Sequence, residues 1–433
     1  MSASTGCDAA LWLCGSEKGR TMSAAVYRFY VGIDWATEKH RVVVLDAERR
    51  VVREREVCHE GAALESFADW LTQLAASAVE TVAVALEVPR GAVVDVLLAR
   101  GFHVFALNPK QLDRFRDRFT VAGAKDDRRD AQVLASALAT DLATFRRLEP
   151  EHPLLLELRE LSRLEDDLQE ELGRLTNRLR EQLHRYYPQL LHLVPAADEP
   201  WLWTLLERAP TPSVAQHLPR ATVRTILSRH RIRRVDTDAV LATLRAPALP
   251  VAPGTVQAAQ RHLAVLLPRL RLIHQQRAEC ATQIEGLLER LGESQEHRDV
   301  PILRSVVGVG RVVAATMLAE ASRLLAARDY HGLRAQTGVA PITRQSGRRT
   351  LVCMRYACNP RLRQAAYHWG QSAARHDPVS RAHYERLRAR GHSHARAVRG
   401  VVDRLLHVLT AMLTAGTLYD PARRRLPVGE AVA

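Results

Sequence analysis

Four carboxylates in the first third of the chain have the type and spacing for phosphoryl-transfer chemistry. Asp34 ends the run VGID, Glu87 ends VAVALE, and Asp127 and Asp130 stand in AKDDRRDAQVLASAL. The i, i+3 spacing of the last two puts them on one face of a helix. Burying charge at the ends of apolar strands is costly unless a cation or partner compensates. Two divalent ions about 3.5–4 Å apart would do so, activating a nucleophile and stabilising the leaving oxygen of a phosphodiester. The donors are all hard oxygens, which selects Mg²⁺ or Mn²⁺ over zinc. Each acid also has a plainer reading: Asp34 as a turn residue, Glu87 as a capping acid before Pro89, and Asp126, Asp127 and Asp130 as a solvated face at a helix start. Asp126 competes with Asp127 for the third position.

A second constellation lies in ITRQSGRRT, where Ser346 is flanked by Arg344, Arg348 and Arg349 and followed by Gly347. A serine hydroxyl is a weak nucleophile and needs a base or a metal. The arginines could clamp a phosphate through paired N–H groups, and Gly347 lets the backbone approach closely. The plainer reading is a polar loop that only touches phosphate. Upstream, LRSVVGVGRVVAATMLAE places Gly308 and Gly310 ahead of a helix, as in a helix-hairpin-helix that grips a DNA phosphate with backbone N–H groups. His392 and His394, in GHSHARAVRG, read as a solvated turn.

These residues need elements to hold them. Residues 28–34, 40–46 and 51–57 read as strands, 60–77 as an amphipathic helix, 81–87 as a strand buried on both faces, 91–101 as a helix and 103–108 as a strand. A further helix begins near Lys110. The order β-β-β-α-β-α-β-α is that of an RNase H-like fold, expected over 27–148. Leucines from Leu154 through Leu164 to Leu183 recur at spacings of three and four, as do Leu263 to Leu291, interrupted only by Arg277. These two stretches, 149–194 and 256–295, read as a long-helix coiled coil or stalk, with ordinary core helices as the alternative. Pro268 lies off the seam and is expected to kink its helix. Residues 195–255 read as a small helical insert and 296–418 as a basic, mostly α-helical domain. Segments 1–26 and 419–433 read as a disordered leader, with Met22 a possible start, and a disordered tail.

The formal charge is +14. Residues 301–433 hold 22 Arg, no Lys and 7 acidic residues, and the remainder of the chain sums to −1. A basic region on an otherwise neutral chain points to a polyanion partner. No apolar run is long enough to span a bilayer. The six cysteines show no CxxC pair, so zinc is not expected and a reducing cytoplasm is the default. No GxxxxGK[ST] loop is present, so no ATP is implied.

The stretches VGIDWATEKH, ALEVPRG, LNPKQLDRFR, AKDDRRDAQVLA, VVGVGRVVAATMLAE, GVAPITRQSG and NPRLRQAAYHWG occur in the order found in IS110-type transposases. The chain resembles that family from about residue 28 to 415. The resemblance implies an Asp-Glu-Asp-Asp RuvC-like domain carrying Asp34, Glu87, Asp127 and Asp130, followed by a transposase domain whose Ser346 joins covalently to a DNA strand end. It further implies DNA and a guide RNA as partners, while the two heptad stretches, read as a dimerisation stalk, point to a homodimer or tetramer. Two departures stand out: Lys125-Asp126-Asp127 where the family usually has Lys-Thr-Asp, and Tyr356-Ala357-Cys358-Asn359 where it usually has Lys-Gly-Asn. The expected activity is recombination through a serine–DNA bond. The alternatives are a Holliday-junction-type nuclease in which water attacks, and a non-enzymatic nucleic-acid scaffold.

Overall fold

The structure is a computed structural model that describes residues 27–116, 126–293, 299–347 and 349–423. The chain forms two compact units, divided between His152 and Pro153.

The first unit is α/β. Its elements are β1 (Phe29–Asp34), β2 (Lys39–Asp46), β3 (Val51–Cys58), α1 (Gly61–Leu74), β4 (Val82–Leu86), α2 (Ala92–Ala99), β5 (His103–Ala106), α3 (Pro109–Arg116), α4 (Asp127–Asp141) and the short β6 (Arg146–Arg147). The six strands form one mixed sheet in the order β3-β2-β1-β4-β5-β6. β1 pairs antiparallel with β2 and parallel with β4. The expected strands and helices are present; the two-residue β6, too short to carry a pattern, was not anticipated.

Side chains alternate across the sheet, because successive residues of a strand point to opposite faces. Val31, Ile33, Val42, Val44, Val84 and Leu86 bury under Leu64, Phe67 and Leu71 of α1 and Val93, Val94 and Leu97 of α2. The opposite face is built from smaller residues and is covered by α4. There Ala83 and Ala85 meet Val133, Leu134 and Ala137, and Val43 and Leu45 meet Ala131 and Ala135. Gly32 is the closest approach: a β-carbon there would lie 1.9 Å from the Ala131 carbonyl oxygen and 2.6 Å from the Ala135 nitrogen. The period-2 rule places Asp34 on the Gly32 face, beneath α4.

The second unit is almost entirely helical. It comprises α5 (Pro153–Tyr186), α6 (Leu190–Leu193), α7 (Pro200–Arg208), α8 (Pro212–Gln216), α9 (Arg220–Arg229), α10 (Thr237–Arg245), α11 (Pro253–Glu293), α12 (Asp299–Ser305), α13 (Arg311–Ala326), α14 (Tyr330–Gln336), the hairpin β7 (Ile342–Ser346) and β8 (Arg349–Cys353), then α15 (Pro360–His376), α16 (Pro378–Ala389) and α17 (His394–Ala415). The two long helices run antiparallel, since Cys280 approaches Leu161 and Arg269 pairs with Glu171 as one ascends and the other descends. α11 continues through Pro268, which is exposed on its outer side.

The leucine seam of α5 is shifted by one residue at three levels, with Leu155, Ser162 and Glu165 buried where the pattern has Leu154, Leu161 and Leu164. Leu164 is exposed, and Glu165, at 5% exposure, takes the inward position. Glu165 stands 3.4 Å from Arg311 and 3.9 Å from Arg277, the residue that interrupts the apolar line of α11. The break in each helix therefore answers the break in the other. One apolar cluster runs from Leu155 to Leu413, so long helices, insert and basic segment share a core. Residues 419–423 are described, and Tyr419 donates its N–H to Ser305 Oγ at 2.9 Å. The leader and residues 424–433 lie outside the described residues.

Candidate active site

Two of the four expected acids come to one edge of the first unit's sheet. Ile33 and Leu86 are paired in the parallel register of β1 and β4. Asp34 and Glu87 are the next residues of these neighbouring strands, which run about 4.8 Å apart. Both are half-buried. Asp130 is 2% exposed and precedes Ala131, the residue that sits on Gly32. The small residues of that face are thus what let α4, with its buried Asp130, lie close on the sheet. Asp127 opens α4 and is exposed. Asp126 is the N-cap of α4, with extended backbone and a side chain accepting from the Arg128 N–H. That capping role accounts for the extra acid. Lys125 lies outside the described residues.

Both oxygens of Asp130 are taken by Arg116, with Nε–Oδ1 at 2.7 Å and Nη2–Oδ2 at 2.8 Å. The guanidinium compensates a charge that could not otherwise be buried. The donor set is carboxylate oxygen throughout, which fits Mg²⁺ or Mn²⁺. Among the described residues, however, no three acidic, histidine or cysteine side chains stand together as a ligand set. Asp130 would join one only by exchanging Arg116 for the ion.

Sequence reasoning missed Arg116 and an aromatic group next to Asp34. Trp35 stacks on His40 at 6.2 Å between centroids and 24° between planes. The buried His40 ring accepts from the Ala36 N–H at 3.3 Å through Nδ1, so Nε2 carries the proton and donates to His59 Nδ1 at 2.9 Å. Burial first, and then the neighbouring His59 ring, hold His40 below the usual imidazole pKa. The visible signal was one histidine at the start of β2 and another just past the end of β3, which the antiparallel register brings to the same end.

Ser346 lies in the second unit, at the tip of the β7–β8 hairpin, paired with Arg349. The helical reading of this region did not anticipate the hairpin, because ITRQS and RTLVC carry no apolar alternation. Gly347 turns the chain at φ +57°, where a side chain would be strained, and among the described residues no atom beyond its chain neighbours lies within 4 Å of where its β-carbon would stand. Ser346, Arg344, Gly347 and Arg349 are exposed; Arg348 lies outside the described residues. The segment read as helix-hairpin-helix-like folds as α12, a turn and α13. Gly310 caps α13 with open space around it. Gly308 instead packs against α15: at φ +81°, a β-carbon would meet the Ala373 nitrogen at 3.0 Å and Trp369 at 3.2 Å. The Trp369 indole donates to the Val307 carbonyl at 2.9 Å. In the NPR sequence, Asn359 caps α15 and donates to Glu320 at 3.0 Å, and Arg361 pairs with Asp166 and Glu320. Those motif residues tie α15 to α13 through Glu320 and to α5 through Asp166.

Comparison with known proteins adds to these placements. Residues 31–188 match a family model described as a transposase of the IS110 type with a DEDD domain, and residues 300–385 match the transposase IS116/IS110/IS902 family. The "Mini-circle putative transposase for IS117" of Streptomyces coelicolor is 32% identical over 93% of this chain and 98% of its own length. The chain belongs to the IS110 transposase family. The "Putative transposase y4uE" of Sinorhizobium fredii is 52% identical over 48% of this chain, a match that spans 58% of that protein. The "Insertion element IS116 uncharacterized 44.8 kDa protein" of Streptomyces clavuligerus is 28% identical over 93% of this chain. Within this transposase the matched segments hold all four acids and Ser346, and no described helix is long and apolar enough to cross a membrane.

Proposed function

We propose that this transposase cleaves and rejoins the DNA of an insertion sequence with an RNase H-like acidic site and a serine nucleophile. The observation that carries the reading is the arrival of Asp34 and Glu87 at matched ends of adjacent parallel strands, on the face where α4 brings Asp130. A mixed sheet with three antiparallel strands leading into parallel β4 and β5 supports the RNase H-like assignment. Asp34, Glu87, Asp130 and, at the rim, Asp127 would hold Mg²⁺ or Mn²⁺. Bound there, the ions supply charge neutralisation at the scissile phosphate. The Ser346 hydroxyl loses its proton and its oxygen bonds to phosphorus, while the phosphorus–oxygen bond to the leaving strand breaks and that oxygen takes up a proton. Arg344 and Arg349 hold the phosphate, and the open tip at Gly347 lets the strand approach Ser346. The second unit's excess of basic residues supports DNA binding and accommodates a guide RNA as a second polyanion. Assembly into a dimer or tetramer belongs to the same reading, as does a cytoplasmic location.

The test is covalent trapping. Wild-type protein incubated with element-end DNA and Mg²⁺ should yield a protein–DNA adduct that survives denaturation, and Ser346→Ala should yield none. Cleavage that persists in Ser346→Ala without an adduct would establish the water-attack nuclease instead.

A further inference from the structure

We propose that Trp35 is a nucleobase-stacking site, on which a splayed or terminal base of the DNA strand rests beside the acidic edge. The inference rests on the reading of Asp34 as part of that edge, which Trp35 directly follows in the chain.

Trp35 is a large apolar side chain left 41% exposed. One face lies against His40, and His59 meets its ring edge-on at 81°. His40 is 1% exposed and is gripped at both nitrogens, by the Ala36 N–H and by His59. The indole therefore rests on a fixed aromatic support rather than on a mobile loop. A core tryptophan would be covered, and an incidental surface one would have no such support. A held aromatic surface with an uncovered face loses little conformational entropy on binding a flat ligand.

The position decides the kind of ligand. Trp35 is the residue after Asp34, and strand alternation sets it on the opposite face of the sheet's end, over His40. A single strand that crosses that end to reach the carboxylate sets a neighbouring base against the indole. A base inside a duplex has both faces occupied by its neighbours. The site therefore takes a base already unstacked, as at a nick, a strand end or a distorted junction. Stacking of this kind tolerates any base, because every base has a π-face.

The experiment uses the full-length chain carrying Asp34→Asn, so that the probe stays intact, and a 15-nucleotide oligothymidylate. Binding should quench a tryptophan fluorescence component that is missing when Trp35→Phe is added. Adding Trp35→Ala instead should weaken binding about tenfold at fixed salt, with Phe restoring most of the affinity. The slope of affinity against salt should not change, because stacking neutralises no phosphate. The thermal midpoint of each variant checks the fold. Equal affinity for the Ala variant, absence of a Trp35 component in the quenching, or a shallower salt slope would overturn the proposal. Failure of the acidic-site reading is separate: Asp34→Asn would then cleave DNA normally, whatever Trp35 does to binding.

Discussion

At Asp130, burial and pairing with Arg116 fix the side chain before any substrate arrives, whereas Asp34 and Glu87 stay half-open at the strand ends. The two situations predict different mutant behaviour. Asp34→Ala or Glu87→Ala should abolish strand cleavage, a loss of at least about 100-fold, and leave the urea unfolding midpoint nearly unchanged, since neither opens a core cavity. Arg116→Ala should lower stability by about 3 kcal/mol, because it leaves a buried carboxylate without its cation. An Arg116→Ala protein as stable as wild type would show that Asp130 has no need of its partner. The acids themselves were legible in the sequence, because strand ends can be read from apolar runs. The Arg116 pair and the His40–His59 contact were not. Each joins residues whose proximity depends on the register or on how α3 and α4 pack, and neither leaves a periodic trace.

Among the elements, β1 and α4 depend on each other through Gly32. The run FYVGID announces a buried strand, but not which face must stay thin. In Gly32→Ala the new methyl would collide with backbone of α4. Loss of about 2–3 kcal/mol is expected, and cleavage should fall with it because α4 carries Asp130; calorimetry beside a cleavage assay reads both. In the long pair, 3-4 spacing located both helices but chose Leu164 where the structure buries Glu165. The spacing permits either neighbour, and the choice follows from Arg277 and Arg311, two cations that need an anion. Glu165→Ala should cost about 3 kcal/mol in urea unfolding, whereas Leu164→Ala, on the exposed side, should stay within about 0.5 kcal/mol. Equal effects would return Leu164 to the seam.

Over the whole molecule, charge and core divide along the same boundary. Residues 153–433 hold 42 basic and 26 acidic residues, against 20 and 22 in residues 1–152. A 153–433 protein should bind DNA or RNA with affinity falling steeply as salt rises, and a 27–152 protein far more weakly. Comparable binding by both would make the asymmetry a matter of composition alone. The basic third by itself is a poorer reagent than its charge suggests, because its apolar residues pack into the cluster that begins at Leu155. Mixing Ser346→Ala with Asp34→Ala protein should restore part of the activity if serine and acids act between protomers, and none if each copy completes its own site. The continuous cluster also bears on synthesis at the ribosome. The first 152 residues can close their own core as soon as they emerge. The leucine stripe of α5 must wait for α11, which ends about a hundred residues later, roughly 5–20 s at ordinary elongation rates. Through that interval the stripe is bare, and another nascent chain on the same messenger carries the same stripe. The order of translation thus gives two copies of this transposase an occasion to meet before either is finished.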